Sequence, residues 1–434
     1  MRRTISIFLI SFLVYTFSWV VVYSLGINKT LIQSEDTYPA LYLPVSIVEK
    51  GTFYLEDYCQ FLACGGPENR KPFYLVELDG HYLSFFPVGA SILALPVYFL
   101  PLKLGLVVNS FNIAVLGRIS AALMVSGSVV FVYLLLREFL EERPSFALAL
   151  VYAFGSCSFG LSSQSLWQHA PSQLMLSLAL YFLVLGQKNP SLARWAGLFL
   201  SIATLSRYTN AVSVIILSIF YLWRFGIREF FKYAALGLAP LGLFLLYHFH
   251  YFGSFGNQGY AGQIFKYWLG PFPSGFLGGW ISPSKGILVY SPIFIFSLLG
   301  GWLFLRKKSE VREGLFGWIF ALVIIYSLVV GKWVHWFGGW AFGYRMMVDM
   351  TPYLAFLWIP LVRSSWWEKV KKWFWVTVVW SVGIQLMGIG FYNGSWHRLY
   401  DQGYVDQSWL WSLKDSEMVY YVRKIMGKIL DTGY

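Results

Sequence analysis

Long apolar stretches without charge constrain this chain more than any other feature. Residues 5–26 carry no charged side chain, and residues 113–136 carry only Arg118. A helix needs about 20 apolar residues to cross the ~30 Å hydrocarbon core of a bilayer. Only 12% of all residues are charged, whereas soluble domains carry about a quarter. The chain is therefore predicted to be an all-α polytopic membrane protein.

Lys and Arg gather in six short connections, which predict the topology because such loops lie in the cytoplasm. The connections are MRR at the N-terminus, REFLEERPS, GQKNPSLAR, WRFGIREFFK, LRKKSEVREG and VRSSWWEKVKKW. This placement gives about eleven crossings of the plasma (inner) membrane, with a cytoplasmic N-terminus and an extracytoplasmic C-terminus. The predicted spans are residues 5–26, 113–136, 144–162, 171–187, 193–207, 209–224, 231–250, 286–305, 314–331, 346–362 and 373–391.

Residues 85–108 are apolar enough to cross, but Pro87, Pro96 and Pro101 interrupt them. Each proline removes a backbone donor that hydrocarbon cannot replace. A crossing here would also invert all later connections against the charge rule. We therefore predict that this segment lies along the outer membrane face or re-enters it.

The chain is predicted to form one membrane-embedded domain over residues 1–434. The long first extracytoplasmic loop (27–112), which carries interfacial helices, and the C-terminal tail (392–434) lie outside, together with residues 251–285 and 331–345. In the first loop, Pro39 predicts a helix start, with Leu41, Val45 and Val48 on an apolar face and Ser46 on the polar face. GTFYLEDY and FYLVELDGHYLSF alternate like strands, and Asp79-Gly80 predicts a hairpin turn. In the tail, one apolar helix face is predicted from Met418, Val422, Ile425, Met426 and Ile429.

Cys59 and Cys64 both lie in the first outer loop. In an oxidising compartment the two could form a disulfide, and free thiols are the alternative. Neither the cysteines nor the scattered histidines have the spacing of metal ligands.

Glu35 and Asp36 follow the first apolar stretch directly. One interpretation is solvation at the membrane interface. The other is function: a carboxylate beside a low-dielectric wall is well placed to take a proton from a bound hydroxyl.

Ionisable groups near other outer helix ends are further candidates, because such groups are costly at membrane depth. In SSQSLWQHAPSQ, Trp167 is either an aromatic-belt residue or part of a pocket, and His169 could bind a phosphate or a hydroxyl. Arg207 could serve a site or simply snorkel to the interface. Lys285 heads a crossing in a Gly- and Pro-rich stretch that suits an anion. Arg345 and Asp349, four residues apart, either form an ion pair or leave Arg345 to bind a phosphate.

Several stretches resemble the GT-C superfamily of integral-membrane glycosyltransferases, which includes protein mannosyltransferases and lipid A aminoarabinose transferases. The resemblance covers nearly the whole chain and rests on architecture and short segments. These segments are SEDTYPALYLPVSIVEKG, SFFPVGASILALPVYFLP, GRISAAL, SLWQHAPSQLMLSLALYFL, SPSKGILVYSPIFIFSLLG and FGYRMMVDMTPYL.

The resemblance implies an inverting transfer from a polyprenyl-phosphate sugar to a hydroxyl of a glycan, lipid or protein. Asp36 would be the general base, with Glu35 beside it. The pair reads Glu-Asp where several members read Asp-Glu, so Glu35 is the alternative base. The substrate-binding candidates are Trp167, His169, Arg207, Lys285, Tyr344 and Arg345. We predict no cofactor and no nucleic-acid partner. A metal-independent reaction is favoured, and dependence on a divalent metal is the alternative. The alternatives are a transporter or lipid flippase, which the absence of visible repeats disfavours, and a non-enzymatic scaffold.

Overall fold

The structure is a computed structural model of a helical membrane protein. It describes residues 2–64, 72–255, 259, 267–268, 270, 272–306, 314–403 and 405–429. Six of the described helices are long and apolar enough to cross a membrane, and two shorter apolar helices accompany them. The prediction of an all-α polytopic membrane protein is confirmed.

The helices are α1 (Arg2–Ser24), α2 (Tyr38–Lys50), α3 (Cys59–Leu62), α4 (Gly89–Lys103), α5 (Ser110–Arg137), α6 (Glu142–Gly155), α7 (His169–Gly186), α8 (Pro190–Ala193), α9 (Trp195–Ser206), α10 (Ala211–Phe252), α11 (Ser274–Ile281), α12 (Ile287–Tyr290), α13 (Ile295–Arg306), α14 (Gly314–Gly331), α15 (Thr351–Phe356), α16 (Trp358–Val362), α17 (Trp366–Phe391), α18 (Ser395–Tyr400) and α19 (Glu417–Ile429). Short 3₁₀ or π turns cover residues 35–37, 56–58, 158–162, 208–210, 292–294, 345–350 and 408–411. Two strands, β1 (Leu75–Leu78) and β2 (His81–Ser84), form an antiparallel hairpin.

Helix α10 reverses direction at Gly226, whose φ of 78° and ψ of 171° lie outside the helical region. The Ser218 and Tyr233 hydroxyls are 2.9 Å apart, and the rings of Tyr208 and Phe244 are in contact at 5.9 Å. A continuous helix would separate each pair by 20 Å or more at ~1.5 Å per residue. The segment is therefore two antiparallel helices, as the separate predicted spans 209–224 and 231–250 require.

Four of the predicted cytoplasmic connections meet at one end of the bundle, which we call the basic end. Arg3 pairs with Glu142 at 2.9 Å, and Lys188 pairs with Glu138 at 2.6 Å. Arg194 pairs with Glu229 at 2.7 Å. Most of the connection LRKKSEVREG lies outside the described residues. The assignment of the basic end to the cytoplasm stays a prediction.

The first loop and the C-terminal tail share the opposite end, which we call the site end. The Asn28 side-chain amide donates to the Tyr392 carbonyl at 2.7 Å. Helix α1 thus starts at the basic end, and the tail starts at the site end. The predicted locations of the two termini relative to the membrane stay a prediction.

Helix α4 stays at the site end and does not cross the bundle. The Ser91 hydroxyl donates to the Ala40 carbonyl at the start of α2, 3.3 Å away. Farther along α4, the Tyr98 hydroxyl donates to Ile113 in the first turn of α5 at 3.4 Å. Both contacts lie at one end of the bundle, in agreement with the prediction for residues 85–108.

The first loop combines confirmed and wrong predictions. Pro39 lies in the first turn of α2, Asp79-Gly80 forms the hairpin turn with positive φ at both positions, and Cys59 and Cys64 form a disulfide. The strand predicted in GTFYLEDY is wrong: after one backbone bond from Leu55 to Tyr82, the chain turns into 3₁₀ and α-helical structure. The prediction that Ser46 lies on a polar, solvated face is also wrong. Ser46 is buried, and its hydroxyl donates to the Tyr54 carbonyl at 2.6 Å.

In the tail, α19 matches the predicted helix, but its inner face is different. Glu417 and Tyr421 are fully buried, whereas Val422 and Met426 of the predicted apolar face are exposed. The side chain of Ile429 lies outside the described residues. Because Val422 and Met426 are exposed, contact between α19 and the membrane stays a prediction.

Candidate functional site

An ion pair between Asp36 and Arg345 joins two segments that are 309 residues apart in the chain. Asp36 lies in the 3₁₀ turn that leads into α2. Arg345 begins the 3₁₀ turn that leads into α15. Both side chains are largely enclosed, with 19% and 14% of their areas exposed. The first-loop carboxylate and the predicted phosphate ligand therefore belong to one site.

The chain before Arg345 needs glycine to reach this position. Gly338 has a φ of 80°, and a Cβ there would lie 2.7 Å from Cγ of Arg345. The guanidinium carbon of Arg345 lies 5.1 Å from the centre of the Trp167 ring, in cation–π contact. The Trp167 Nε1–H donates to Oε1 of Gln33 at 3.3 Å. The turn at residue 167 is thus tied to the Asp36 segment.

Two cavities adjoin the ion pair. The apolar cavity, of about 220 Å³, is lined mainly by Phe86, Leu166, Trp167, Val212, Trp333 and Met346. The larger cavity, of about 730 Å³, is called the polar cavity because its share of polar lining is the greater of the two. Its lining combines Gln33, Glu35, His335 and Asp401 with aromatic residues such as Tyr38, Phe85, Phe337 and Trp340. Asp36 and Arg345 line both cavities. The pair therefore stands where the two spaces meet.

His169 and Arg207 flank the apolar cavity and are both bound to Asp349. Nδ1 of His169 lies 3.1 Å from Oδ1 of Asp349, and Arg207 forms an ion pair with Oδ2. The Arg207 guanidinium also donates to the Tyr326 hydroxyl at 3.0 Å. The ion pair between Arg345 and Asp349 that the sequence left open does not form, because the 3₁₀ turn directs the two side chains to different partners.

Lys285 and Tyr344 lie outside both cavities. The Lys285 ammonium donates to the Ala341 carbonyl at 2.6 Å, to Nε2 of His397 at 3.0 Å and to Oε2 of Glu417 at 3.2 Å. These contacts use all three N–H donors of a lysine, and the residue is fully buried. No donor is left for a phosphate, so the structure does not support Lys285 as a phosphate ligand. Tyr344 is buried near Gly279 and lines neither cavity.

Glu35 lines only the polar cavity. Within the described part of the chain, no residue donates a hydrogen bond to its carboxylate. The two adjacent carboxylates are therefore different: Asp36 faces both cavities and is paired, whereas Glu35 faces one cavity and is not. No group of three His, Cys, Asp or Glu side chains with metal-ligand geometry occurs among the described residues.

Arg118 supports the site, although the sequence did not single it out. Its guanidinium donates to the carbonyls of Thr30 at 3.1 Å and Leu31 at 2.7 Å, and also to that of Gln164. One buried cation thus holds the segment before Asp36 and the turn before Trp167. The signal was present in the sequence, because a lone arginine in an apolar stretch is costly and needs a reason.

The comparisons with known proteins come from a family model and from curated proteins. Residues 94–248, about a third of the chain, match the model of the dolichyl-phosphate-mannose-protein mannosyltransferase family. That family belongs to the GT-C superfamily, so the predicted resemblance is confirmed. No curated protein matches the chain.

The fold and the family match together support a likeness to multi-pass membrane glycosyltransferases of the GT-C type. The matched segment includes Trp167, His169 and Arg207, whereas Asp36 and Arg345 lie outside it. The match therefore spans only part of the candidate site, and it assigns no role to any of these residues.

Proposed function

We propose that the protein transfers a sugar from a polyprenyl-phosphate donor to an acceptor hydroxyl, with Asp36 as the general base. The observation that carries the proposal is the position of the Asp36–Arg345 pair between the two cavities. A reaction that joins a lipid-borne group to a polar acceptor needs two such spaces on either side of its reacting groups.

The apolar cavity suits the donor. Its apolar and aromatic lining can accept the first units of a lipid chain, and Arg207 and Arg345 contribute to its wall. Guanidinium groups bind phosphate oxygens through parallel N–H donors. Arg345 donates through Nη1 to Asp36, and an arginine has five N–H donors. It can therefore hold Asp36 and a donor phosphate together.

The proposed step is a single displacement at the anomeric carbon. The acceptor hydroxyl gives its proton to the Asp36 carboxylate, while its oxygen forms a bond to the anomeric carbon. The bond between that carbon and the phosphate oxygen breaks, and the lipid phosphate leaves with the electron pair. Arg345 and Arg207 stabilise the negative charge that grows on the leaving phosphate.

The carboxylates around the cavities favour inversion. A retaining transfer needs a second carboxylate that forms a covalent sugar intermediate. Glu35 lines the acceptor side only, and Asp349 lines neither cavity and is bound by His169 and Arg207. A transporter needs charged groups near the midplane with access from both sides, whereas these groups gather at one end of the bundle.

The test is sugar transfer by purified protein from a panel of radiolabelled polyprenyl-phosphate sugars to membrane extracts. Asp36→Asn should lower turnover by roughly 10²–10⁴-fold, which is the usual contribution of a general base. Binding of the lipid phosphate should persist, because Arg345 and the apolar lining remain. The matched control is Asp57→Asn, an exposed carboxylate of the same loop that lines neither cavity.

Full activity of the Asp36→Asn variant would disprove the assignment of the base. Glu35→Gln separates the two adjacent carboxylates: we expect it to weaken acceptor binding and to retain most of the turnover at saturating acceptor. A loss with Glu35→Gln as large as that with Asp36→Asn would move the role of the base to Glu35 or to both residues.

A further inference from the structure

The polar cavity contains a tryptophan that is both exposed and held in place. Trp340 lines this cavity with 42% of its area exposed. Its Nε1–H donates to Oδ2 of Asp401 at 2.7 Å, and its ring stacks on His397 with 5.5 Å between the centroids. An exposed aromatic ring that is oriented from two sides offers a rigid apolar surface to a ligand.

Hydrogen-bond acceptors share the cavity with this ring. Glu35, Asn393 and Asp401 line the same cavity. Asp401 accepts the Trp340 N–H through one oxygen and the Gly403 N–H at 2.8 Å through the other. A carboxylate has about four lone-pair positions, so each oxygen can accept one more donor. An aromatic face beside carboxylate and amide oxygens matches a sugar ring, which has an apolar C–H face and a rim of hydroxyl donors.

The charges of the cavity select against an anionic ligand. Among its described lining residues, Glu35, Asp36 and Asp401 are acidic, and the one cation, Arg345, is paired with Asp36. Burial lowers the pKa of His335, and the charge of Arg345 lowers that pKa further, so this imidazole is neutral at neutral pH. A uronic acid or a phosphorylated sugar would be repelled by the unpaired carboxylates.

One feature through which proteins hold peptides, a strand edge, does not occur in the described lining of this cavity. Peptides are bound by strand edges, helix grooves or proline-helix surfaces. In the described part of the chain, no residue of β1 or β2 lines the polar cavity. The shape and chemistry of the lining therefore favour a saccharide over an extended peptide.

We propose that the polar cavity binds a neutral saccharide as the acceptor, with the Trp340 ring as its stacking platform. The role of this saccharide as an acceptor rests on the proposed function. Its binding to the cavity does not depend on transfer. Asp401 orients the ring and accepts hydroxyl hydrogen bonds, and Glu35 accepts a further hydroxyl close to Asp36.

The first experiment measures binding to the purified full chain in a detergent that has no sugar headgroup. The probes are neutral di- to tetrasaccharides of glucose, galactose and mannose, matched uronic-acid oligosaccharides, and end-blocked peptides that contain Ser and Thr. We expect binding of a neutral saccharide only. Trp340→Ala should weaken it by about tenfold, the effect of one aromatic contact, and Trp340→Phe should retain most of it. Trp373→Ala is the control, since this exposed residue of α17 lines neither cavity.

Asp401→Asn removes one charge and keeps one acceptor oxygen, which can still accept the Trp340 N–H in place of the Gly403 N–H. It should raise the affinity for the uronic-acid probes relative to the neutral ones. Binding of peptide without saccharide would overturn the inference, and so would unchanged saccharide binding by Trp340→Ala.

The second experiment repeats these variants in the transfer assay. Saccharide binding that depends on Trp340, with no transfer from any donor, would support this site and disprove the proposed function. Transfer to peptides that is unchanged by Trp340→Ala would support the proposed function and disprove the saccharide site.

Discussion

Two ion pairs of similar chemistry lie at the site end, in opposite surroundings. Asp36–Arg345 is partly accessible and faces both cavities. Lys285–Glu417 has no exposed side-chain area and lines neither cavity. The first pair can exchange partners with a substrate, whereas the second can do so only if the protein opens. Access, more than residue type, separates a binding group from a structural one.

The sealed pair still affects the open one through the backbone between them. Lys285 donates to the Ala341 carbonyl, and the Gly343 N–H donates to Oε2 of Glu417 at 3.0 Å. Arg345 follows two residues later. The buried pair therefore fixes the loop that presents Arg345 to the cavities, which gives Lys285 a positioning role in place of the phosphate contact predicted from the sequence.

The largest expected difference is in stability. Glu417→Gln leaves a buried ammonium without its counter-charge, and removal of one partner from a buried pair costs about 3–5 kcal/mol. Asp36→Asn should cost clearly less, because the pair borders both cavities and water can solvate the charge that is left. Thermal or chemical unfolding of both variants in one detergent measures the difference.

The double variant Lys285→Met/Glu417→Leu supplies the control for the stability prediction. It removes both charges, so it should recover the part of the loss that comes from the unpaired ammonium. The Gly343 N–H and the Tyr290 hydroxyl still lose their acceptor, so recovery should be partial. Equal destabilisation by Glu417→Gln and Asp36→Asn would contradict the distinction between the sealed and the open pair.

A smaller effect is expected at Arg118, which is sealed like Lys285 but contacts the segments of the open site. Arg118→Lys replaces the planar fork with one compact ammonium, which cannot reach both the Gln164 carbonyl on one side of the guanidinium and the Thr30 and Leu31 carbonyls on the other. A displacement of Asp36 by ~1 Å should lower kcat by about 10²-fold, with KM values nearly unchanged. Steady-state transfer kinetics on the folded fraction measure this split.

Arg224→Lys is the matched control for Arg118, since Arg224 contacts Gln187 far from the cavities. A rise in KM at constant kcat would mean that Arg118 acts on binding, and unchanged kinetics would mean that it only supports the fold.

The smallest effect concerns pH and the sealed cluster. Burial lowers the pKa of His397 well below its ordinary value, and the charges of Lys285 and Arg345 lower that pKa further. Glu417 lies 3.9 Å from its Nδ1. Below pH ~6.5 the unfolded chain takes up a proton at this histidine and the folded chain does not. The contribution of His397 to stability should therefore fall with decreasing pH, by at most about 1.4 kcal/mol per pH unit. Burial raises the pKa of Glu417, which opposes this trend, so the histidine is tested by its own variant.

His397→Gln should reduce this loss of stability on the acid side. Melting curves recorded from about pH 7.5 to about pH 5 measure it, because this interval lies on both sides of the ordinary histidine pKa. His81→Gln controls for the loss of one histidine elsewhere in the chain. An unchanged pH slope in His397→Gln would assign the acid sensitivity to other groups.

Local patterns predicted the parts of the fold whose physics is local. Proline at the start of α2, Asp79-Gly80 between short strands, and apolar length for the crossings each depend on a few neighbouring residues. The strand predicted in GTFYLEDY failed because its alternation found no partner strand, and a single backbone bond from Leu55 was not enough to hold an extended chain. The prediction of a solvated face at Ser46 failed because the rest of the first loop covers that side of α2.

The partners of the ion pairs could not be predicted from the sequence. Nothing near Arg345 indicates that it pairs with Asp36 instead of Asp349, and nothing near Lys285 indicates Glu417, 132 residues away. Each cation had several carboxylates within the same predicted compartment. The choice among them depends on how helices pack and turn over the whole chain.

The sequence by itself determined that this is a multi-pass helical membrane protein whose charged candidate groups gather outside the lipid, because hydrocarbon excludes charge along every apolar stretch. Tertiary structure alone decided which of those groups face a cavity and which are sealed. The physical reason is that hydrophobic length is a property of neighbouring residues, whereas access to water and substrate arises only where distant segments meet.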